Sequence, residues 1–169
     1  MKETKNITSR AGSPLTLLGE HTVVGELAPD FTAVDINGAD VKLSDYKGKT
    51  IVLAVFPSID TKVCAMETRE FNKRATALGK DVVVLTLSKD LPFALGRFCA
   101  AEGIKNVIPL SDYKQSEFGL KYGFLIKENM LLTRGVVIID KTGKVTYVEY
   151  VDDIVKEPDY DAALAYLVQ

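Results

Sequence analysis

Two almost wholly apolar runs, Ile51-Val52-Leu53-Ala54-Val55-Phe56 and Val82-Val83-Val84-Leu85-Thr86-Leu87, restrict this chain more than anything else in it. A strand with one wet face alternates apolar and polar residues, whereas a run that is apolar at successive positions needs cover on both faces. Between the runs the spacing turns helical. Cys64, Thr68, Phe71, Ala75 and Leu78 recur in steps of four and three and share one face. The pattern predicts a helix from about Lys62 to Leu78, stopped by Gly79, that crosses over between two parallel strands.

The alternation continues on both sides. Leu15-Thr16-Leu17-Leu18 and Thr22-Val23-Val24 flank Gly19-Glu20-His21 and predict an N-terminal hairpin over about 14–25. Phe31 to Asp35 leads to a turn at Asn37-Gly38. A second helix is expected with Asp90 as its cap and Pro92 in its first turn, running to about Glu102 and ending at Gly103. Val107-Ile108-Pro109-Leu110 reads as a strand that Pro109 keeps short or at an edge, and Tyr113 to Tyr122 reads as a further helix. Gly135 to Ile139, the turn Asp140 to Gly143 and Lys144 to Tyr150 predict a strand hairpin, and a last helix covers about Asp159 to Val168. The expected architecture is one α/β domain over residues 1–169, a mixed sheet with helices on both faces.

Charge narrows the function. With 21 basic and 23 acidic residues interleaved along the chain, no basic block exists to neutralise a nucleic-acid backbone. No run approaches the length of a membrane span, and the polar start Met1-Lys2-Glu3-Thr4-Lys5 lacks the apolar core of a secretory signal. The expected setting is the cytoplasm, where disulfides are transient, catalytic or redox-sensing.

That setting draws attention to the only two cysteines, Cys64 and Cys99. Cys64 follows Pro57-Ser58-Ile59-Asp60-Thr61-Lys62-Val63, where the first apolar strand ends and the helix begins. The positive end of a helix dipole favours a thiolate. Thr61 is placed to cap this helix or to donate its hydroxyl to the sulfur, and Pro57 sets the strand exit without offering a donor. An ordinary thiol has a pKa of about 8.5, and a helix terminus contributes at most about 2 kcal/mol, little more than one pKa unit. A mostly ionised thiol therefore needs a fixed cation as well. The single histidine, His21, lies in the expected hairpin turn, so Arg134, just before the strand Gly135 to Ile139, is the candidate. The alternative for Arg134 is an ordinary surface ion pair.

Cys99 falls at the other end of its helix, next to Leu95 and Phe98, where the dipole disfavours a thiolate. It is a poor first nucleophile but could attack an oxidised Cys64 if local unwinding brought the Cα atoms within about 7 Å. Other readings of the pair stay open here. Both could be small core residues, or they could form a permanent staple worth about 4 kcal/mol. A zinc site lacks ligands, and a serine-histidine-acid triad would rest on His21 alone.

Pro57, Thr61 and Cys64 match the P-x-x-x-T-x-x-C signature of the peroxiredoxins. From about Gly25 onward the chain resembles the bacterial thiol peroxidase subfamily, in Phe56 to Thr61, Asp90-Leu91-Pro92-Phe93-Ala94, Arg97 to Gly103 and Glu157-Pro158-Asp159-Tyr160. The resemblance implies a thioredoxin-like fold with an added N-terminal hairpin. It implies that Cys64 is the peroxidatic and Cys99 the resolving cysteine of one subunit, joined in a redox disulfide, with Thr61 and Arg134 orienting a hydroperoxide. It also implies reduction by thioredoxin or a similar dithiol protein, a homodimer, and no metal, haem or flavin. Lys62 departs from the subfamily, whose members often carry proline or a small residue there. Two competing functions remain: a peroxide-sensing interaction protein, and a thioredoxin-type disulfide oxidoreductase, which would need a second cysteine where Thr61 stands.

Overall fold

The sheet forms where the apolar runs predict it. The computed structural model describes residues 1–167, and its first strands are β1 (Glu3–Thr4), β2 (Ser9–Arg10), β3 (Ser13–Pro14), β4 (Leu17–Leu18), β5 (Thr32–Val34) and β6 (Asp40–Lys42). β7 (Thr50–Val55), α1 (Lys62–Ala75), β8 (Val82–Ser88), α2 (Pro92–Glu102) and β9 (Ile108–Ser111) follow. The chain then passes through α3 (Glu117–Tyr122), β10 (Leu125–Ile126), β11 (Gly135–Ile139), β12 (Val145–Tyr150) and α4 (Tyr160–Ala165). The main sheet runs β12-β11-β7-β8-β9-β5-β6. β7, β8 and β9 are parallel, while β11 with β12 and β5 with β6 extend the sheet antiparallel on either side. This is a thioredoxin-like α/β fold with a mixed central sheet.

The two apolar runs are buried on both faces, as their composition requires. Ile51, Leu53, Val55, Leu85 and Leu87 pack with Phe31, Phe118 and Phe124, whereas Val52, Ala54 and Val84 pack with Phe71 and Ile104. Each fully buried side chain of this size contributes about 1.5–3 kcal/mol. α1 keeps Cys64, Thr68 and Phe71 buried, and half-buried Ala75 and Leu78 complete its inner stripe. The helix stops at Ala75, three residues short of expectation, because Ala77 and Leu78 donate to carbonyls only three residues back.

Long-range hydrogen bonds move several boundaries. Asp90 is not the cap of α2; Leu91 is, with Pro92 first in the helix. The Asp90 carboxylate instead accepts from Ser58 Oγ, Ile59 N–H and Ser88 Oγ, tying the β7–α1 loop to the end of β8. α3 starts at Glu117 rather than Tyr113 because Asp112 takes the N–H groups of Phe118 and Gly119. β9 is short, in keeping with Pro109, yet it lies inside the sheet. Only Val34 and Ser111 join it to β5, so Pro109 falls outside that pairing. Asp159 caps α4 through the Ala162 N–H, and the expected end of that helix at Val168 lies outside the described residues.

The hairpin expected over 14–25 does not form, and a shorter one stands just upstream. β2 and β3 form it across Ala11 and Gly12, whereas β4 pairs with β1 and β10. Residues 22–24 form no strand, because Thr22 is held by the Tyr150 hydroxyl and the Tyr122 carbonyl. The turn has φ of 48° at Ala11 and 85° at Gly12, the two left-handed residues of a tight hairpin. Alanine is strained there, and Asp153 offsets the strain. Its carboxylate accepts from Ser9 Oγ, Ala11 N–H and Gly12 N–H at 2.8, 3.0 and 2.9 Å, and from Val155 N–H at 3.1 Å. Burial opposes the Asp153 charge, but these donors outweigh it and hold the carboxyl well below its usual range.

Asp153→Ala is therefore expected to destabilise the protein by about 2–4 kcal/mol, or about 5–15 °C in Tm. Because this pKa is depressed on folding, its contribution is complete above the ordinary 3.8 and is lost as pH falls through the lower folded value. Thermal melts of both proteins from neutral to acid pH check this, and a constant difference at every pH would contradict it.

Candidate active site

Cys64 is the third residue of α1 and lies at the carboxyl end of β7, the end of a parallel sheet where sites form. It has no exposed surface and packs among Phe56, Ile59 and Leu95. The register that places Gly135 opposite Val55 carries Arg134 to the same end of the sheet. Gly135 has to be glycine, since a Cβ there would meet the Glu149 carbonyl at 2.1 Å and the Phe124 ring at 2.7 Å. β11 can thus lie close enough to deliver Arg134 onto the sulfur.

The guanidinium commits four of its five N–H groups within the protein. Arg134 Nη2 donates to Cys64 Sγ at 3.0 Å, and Nη1 donates to Glu67 Oε2 at 2.6 Å. Nε and Nη2 both donate to the Ile154 carbonyl, at 3.0 and 2.9 Å. Arg134 is 1% exposed and Glu67 not at all, so this is a buried cation rather than a surface ion pair. One positive charge faces two acids three residues apart on α1. Glu67 bears the consequence. Burial raises its carboxyl from 4.5 to about 8 against the pull of Arg134, and among the described residues its Oε1 has no hydrogen-bond partner.

Thr61 is the N-cap of α1 by backbone geometry, but its hydroxyl takes neither expected role. It donates to the Ser58 carbonyl at 3.0 Å, neither capping the helix nor touching the sulfur. Thr61 and Pro57 instead form part of the wall of a cleft of about 230 Å³ that reaches Arg134. Cys99 stands apart, in the last turn of α2. It is half-buried, and burial pushes its thiol up. Both thiols are free. Cys99 packs on the cluster of Val52, Val84 and Ile104 rather than on that of Cys64, and Phe98 touches both clusters.

The Redoxin family model matches residues 23–164. The thiol peroxidase of Oceanobacillus iheyensis is 49% identical over 162 residues, covering 96% of this chain and 98% of the relative. That of Bacillus subtilis is 47% identical over 150 residues, covering 89% of each. This chain belongs to the redoxins, in the thiol peroxidase branch. Relatives of that name, at this identity and over nearly the whole chain, make it a peroxidase enzyme. The crystal structure of a peroxiredoxin-like protein from Aquifex aeolicus superimposes with a TM-score of 0.91 at 36% identity, over 99% of this chain and 98% of that one. A thiol peroxidase from Chromobacterium violaceum, at 21% identity and a TM-score of 0.85, shares the fold over 95% of this chain and 94% of its own.

Of the residues singled out from the sequence, Cys64 and Arg134 meet, and Pro57 and Thr61 line the approach. Cys99 waits on another helix. Glu67 and the Ile154 carbonyl escaped the sequence reading. A carboxylate three residues after Cys64, beside the inner stripe, was the available signal, because charge on a buried helix face needs a partner. Nothing local marks a carbonyl as the rest for an arginine. Among the described residues no three His, Cys, Asp or Glu side chains gather as a metal site would require, and no helix is long and apolar enough to cross a membrane.

Proposed function

We propose that Cys64 is the peroxidatic cysteine and that Arg134, with Thr61 and Pro57 at the approach, organises the peroxide on it. The 3.0 Å contact between the buried guanidinium and Sγ carries this reading. The Cys64 thiolate attacks one oxygen of the hydroperoxide and the O–O bond breaks. The sulfur is oxidised to sulfenic acid, and the other oxygen leaves, after protonation, as water or an alcohol. Arg134 donates to the oxygens as negative charge passes to them. Cys99 then attacks the sulfenic sulfur, releasing water and forming the Cys64–Cys99 disulfide. Thioredoxin or a similar dithiol protein reduces it. Sulfur carries the electrons throughout, so the cycle calls for no metal or organic cofactor.

Cys99 reaches Cys64 only if the ends of α1 and α2 loosen. The fastening between those helices suits that need. Arg69 holds Glu102 through two hydrogen bonds of 3.0 and 2.9 Å and lies over the Phe98 ring, yet both charged side chains remain open to solvent. A solvent-screened ion pair of this kind contributes little, so its release costs little. We place the enzyme in the cytoplasm as a homodimer. Phe93, 83% exposed, and Leu91 offer an apolar surface for a second copy at the start of α2.

Cys99→Ser tests the cycle. One equivalent of peroxide should convert the variant to a Cys64 sulfenic acid that a dimedone adduct reveals by mass, while the unaltered protein gives the disulfide. Steady turnover with thioredoxin, its reductase and NADPH should fall at least about 100-fold, the scale of losing a reacting group. Undiminished multiple turnover would remove Cys99 from the mechanism.

A further inference from the structure

The cleft in front of Arg134 carries more than hydrogen peroxide calls for. Hydrogen peroxide is small and neutral, and at about 10–15 Å³ of cavity per water-sized unit its two oxygens need about 20–30 Å³. The cleft measures about 230 Å³. Val63, Leu131, Ile154 and Val155 contribute apolar wall, Arg10 and Lys62 contribute cations, and no acidic side chain lines it. Among the described residues neither Arg10 nor Lys62 forms a salt bridge, although Arg69, Arg74, Lys121, Lys127 and Lys156 all do. An apolar wall with two unpaired cations fits an amphiphile with an anionic head.

The backbone segments that carry these exposed cations are tied to the reacting centre. Arg10 belongs to β2, and Asp153 pins the β2–β3 turn. The next residue, Ile154, supplies the carbonyl on which Arg134 rests. A two-residue strap therefore sets the place of both arginines. Lys62 opens α1, two residues before Cys64. This hairpin is an N-terminal addition to the sheet, and it brings a charge to a cleft that the sheet alone would leave with fewer.

We propose that Arg10 and Lys62 are specificity residues that favour organic hydroperoxides bearing a carboxylate over neutral ones. The hydroperoxide group lies toward Arg134, the carbon chain lies along Val63 and Val155, and the carboxylate lies between the two mouth cations. The inference rests on Cys64 and Arg134 being the reacting centre and adds the substrate class that the centre receives.

The test compares kcat/KM for a short-chain hydroperoxy carboxylic acid and its methyl ester, which present the same reacting group and chain. The unaltered protein should prefer the acid by about tenfold, as expected for two exposed charge contacts of about three- to fivefold each. Raised salt should shrink the preference. Arg10→Ala and Lys62→Ala should each remove part of it and the double variant nearly all. Arg10→Lys with Lys62→Arg should keep it, and Lys62→Glu should turn it toward the ester. Equal rates for acid and ester in the unaltered protein, or a preference that survives the double alanine variant, would overturn the proposal. Turnover of hydrogen peroxide by the unaltered protein separates this from failure of the centre itself. Loss of that turnover would refute the role of Cys64, and intact turnover with equal acid and ester rates would refute only the anionic mouth.

Discussion

Cys64→Ser is expected to bring peroxide-dependent NADPH oxidation in the thioredoxin-coupled assay down to the background without enzyme. A hydroxyl at this position has too little anionic character to attack an O–O bond, and no oxidised serine exists to be resolved by Cys99. No neighbouring group can take over. The other thiol is held half-buried at the C-terminal end of α2, where burial keeps it protonated. The variant should still fold. Oγ can accept from Arg134 as Sγ does, and placing a hydroxyl among Phe56, Ile59 and Leu95 costs about 1–3 kcal/mol. Circular dichroism and a thermal melt would confirm the fold before activity is read. Turnover above background in a folded Cys64→Ser protein would mean that another group meets the peroxide first.

The central sheet was legible because it depends on local composition. Ile51 to Phe56 and Val82 to Leu87 could be satisfied only by cover on both faces, and Lys62 to Leu78 only by one helical stripe. The site was legible in part for the same reason. A strand end, a helix start and a strand beginning after Arg134 all fall at one end of a sheet of this topology. What escaped was set by partners far away in the chain. Asp90 looked like a helix cap and is a brace for Ser58 and Ile59. Ala11-Gly12 carries only half of the usual sequence mark of a tight hairpin, since alanine stands where asparagine, aspartate or glycine is favoured, and it forms one because Asp153 supplies the acceptors. Thr61 had two sensible acceptor or donor roles nearby, and a third, the Ser58 carbonyl, won. Glu67 went unread because its partner, Arg134, arrives from the start of β11, far along the chain.

That buried pair yields the second large effect. Arg134→Met should lower kcat/KM for hydrogen peroxide by about 10²–10³-fold, the usual result of removing one donor aimed at developing negative charge. It should also leave Glu67 without the side-chain partner it has in Arg134, and the stability cost should depend on pH. A carboxyl whose pKa is raised on folding, here from 4.5 to about 8, keeps its proton in the folded chain, so folding loses stability as pH rises through that interval. Without Arg134 the upper limit of the interval moves higher still. The variant should be nearly as stable as the parent in mild acid and about 3–5 kcal/mol less stable where Glu67 would have to ionise alone. Glu67→Gln separates the two roles. It keeps an oxygen acceptor for Nη1, removes the titration, and should retain most activity at neutral pH. In the parent, ionisation of Glu67 near pH 8 gives Arg134 a second anion to neutralise and weakens its hold on the peroxide oxygens, so kcat/KM should fall above that pH. In Glu67→Gln that fall should disappear. If the two pH profiles coincide, the proton on Glu67 has no part in keeping Arg134 available to the reaction.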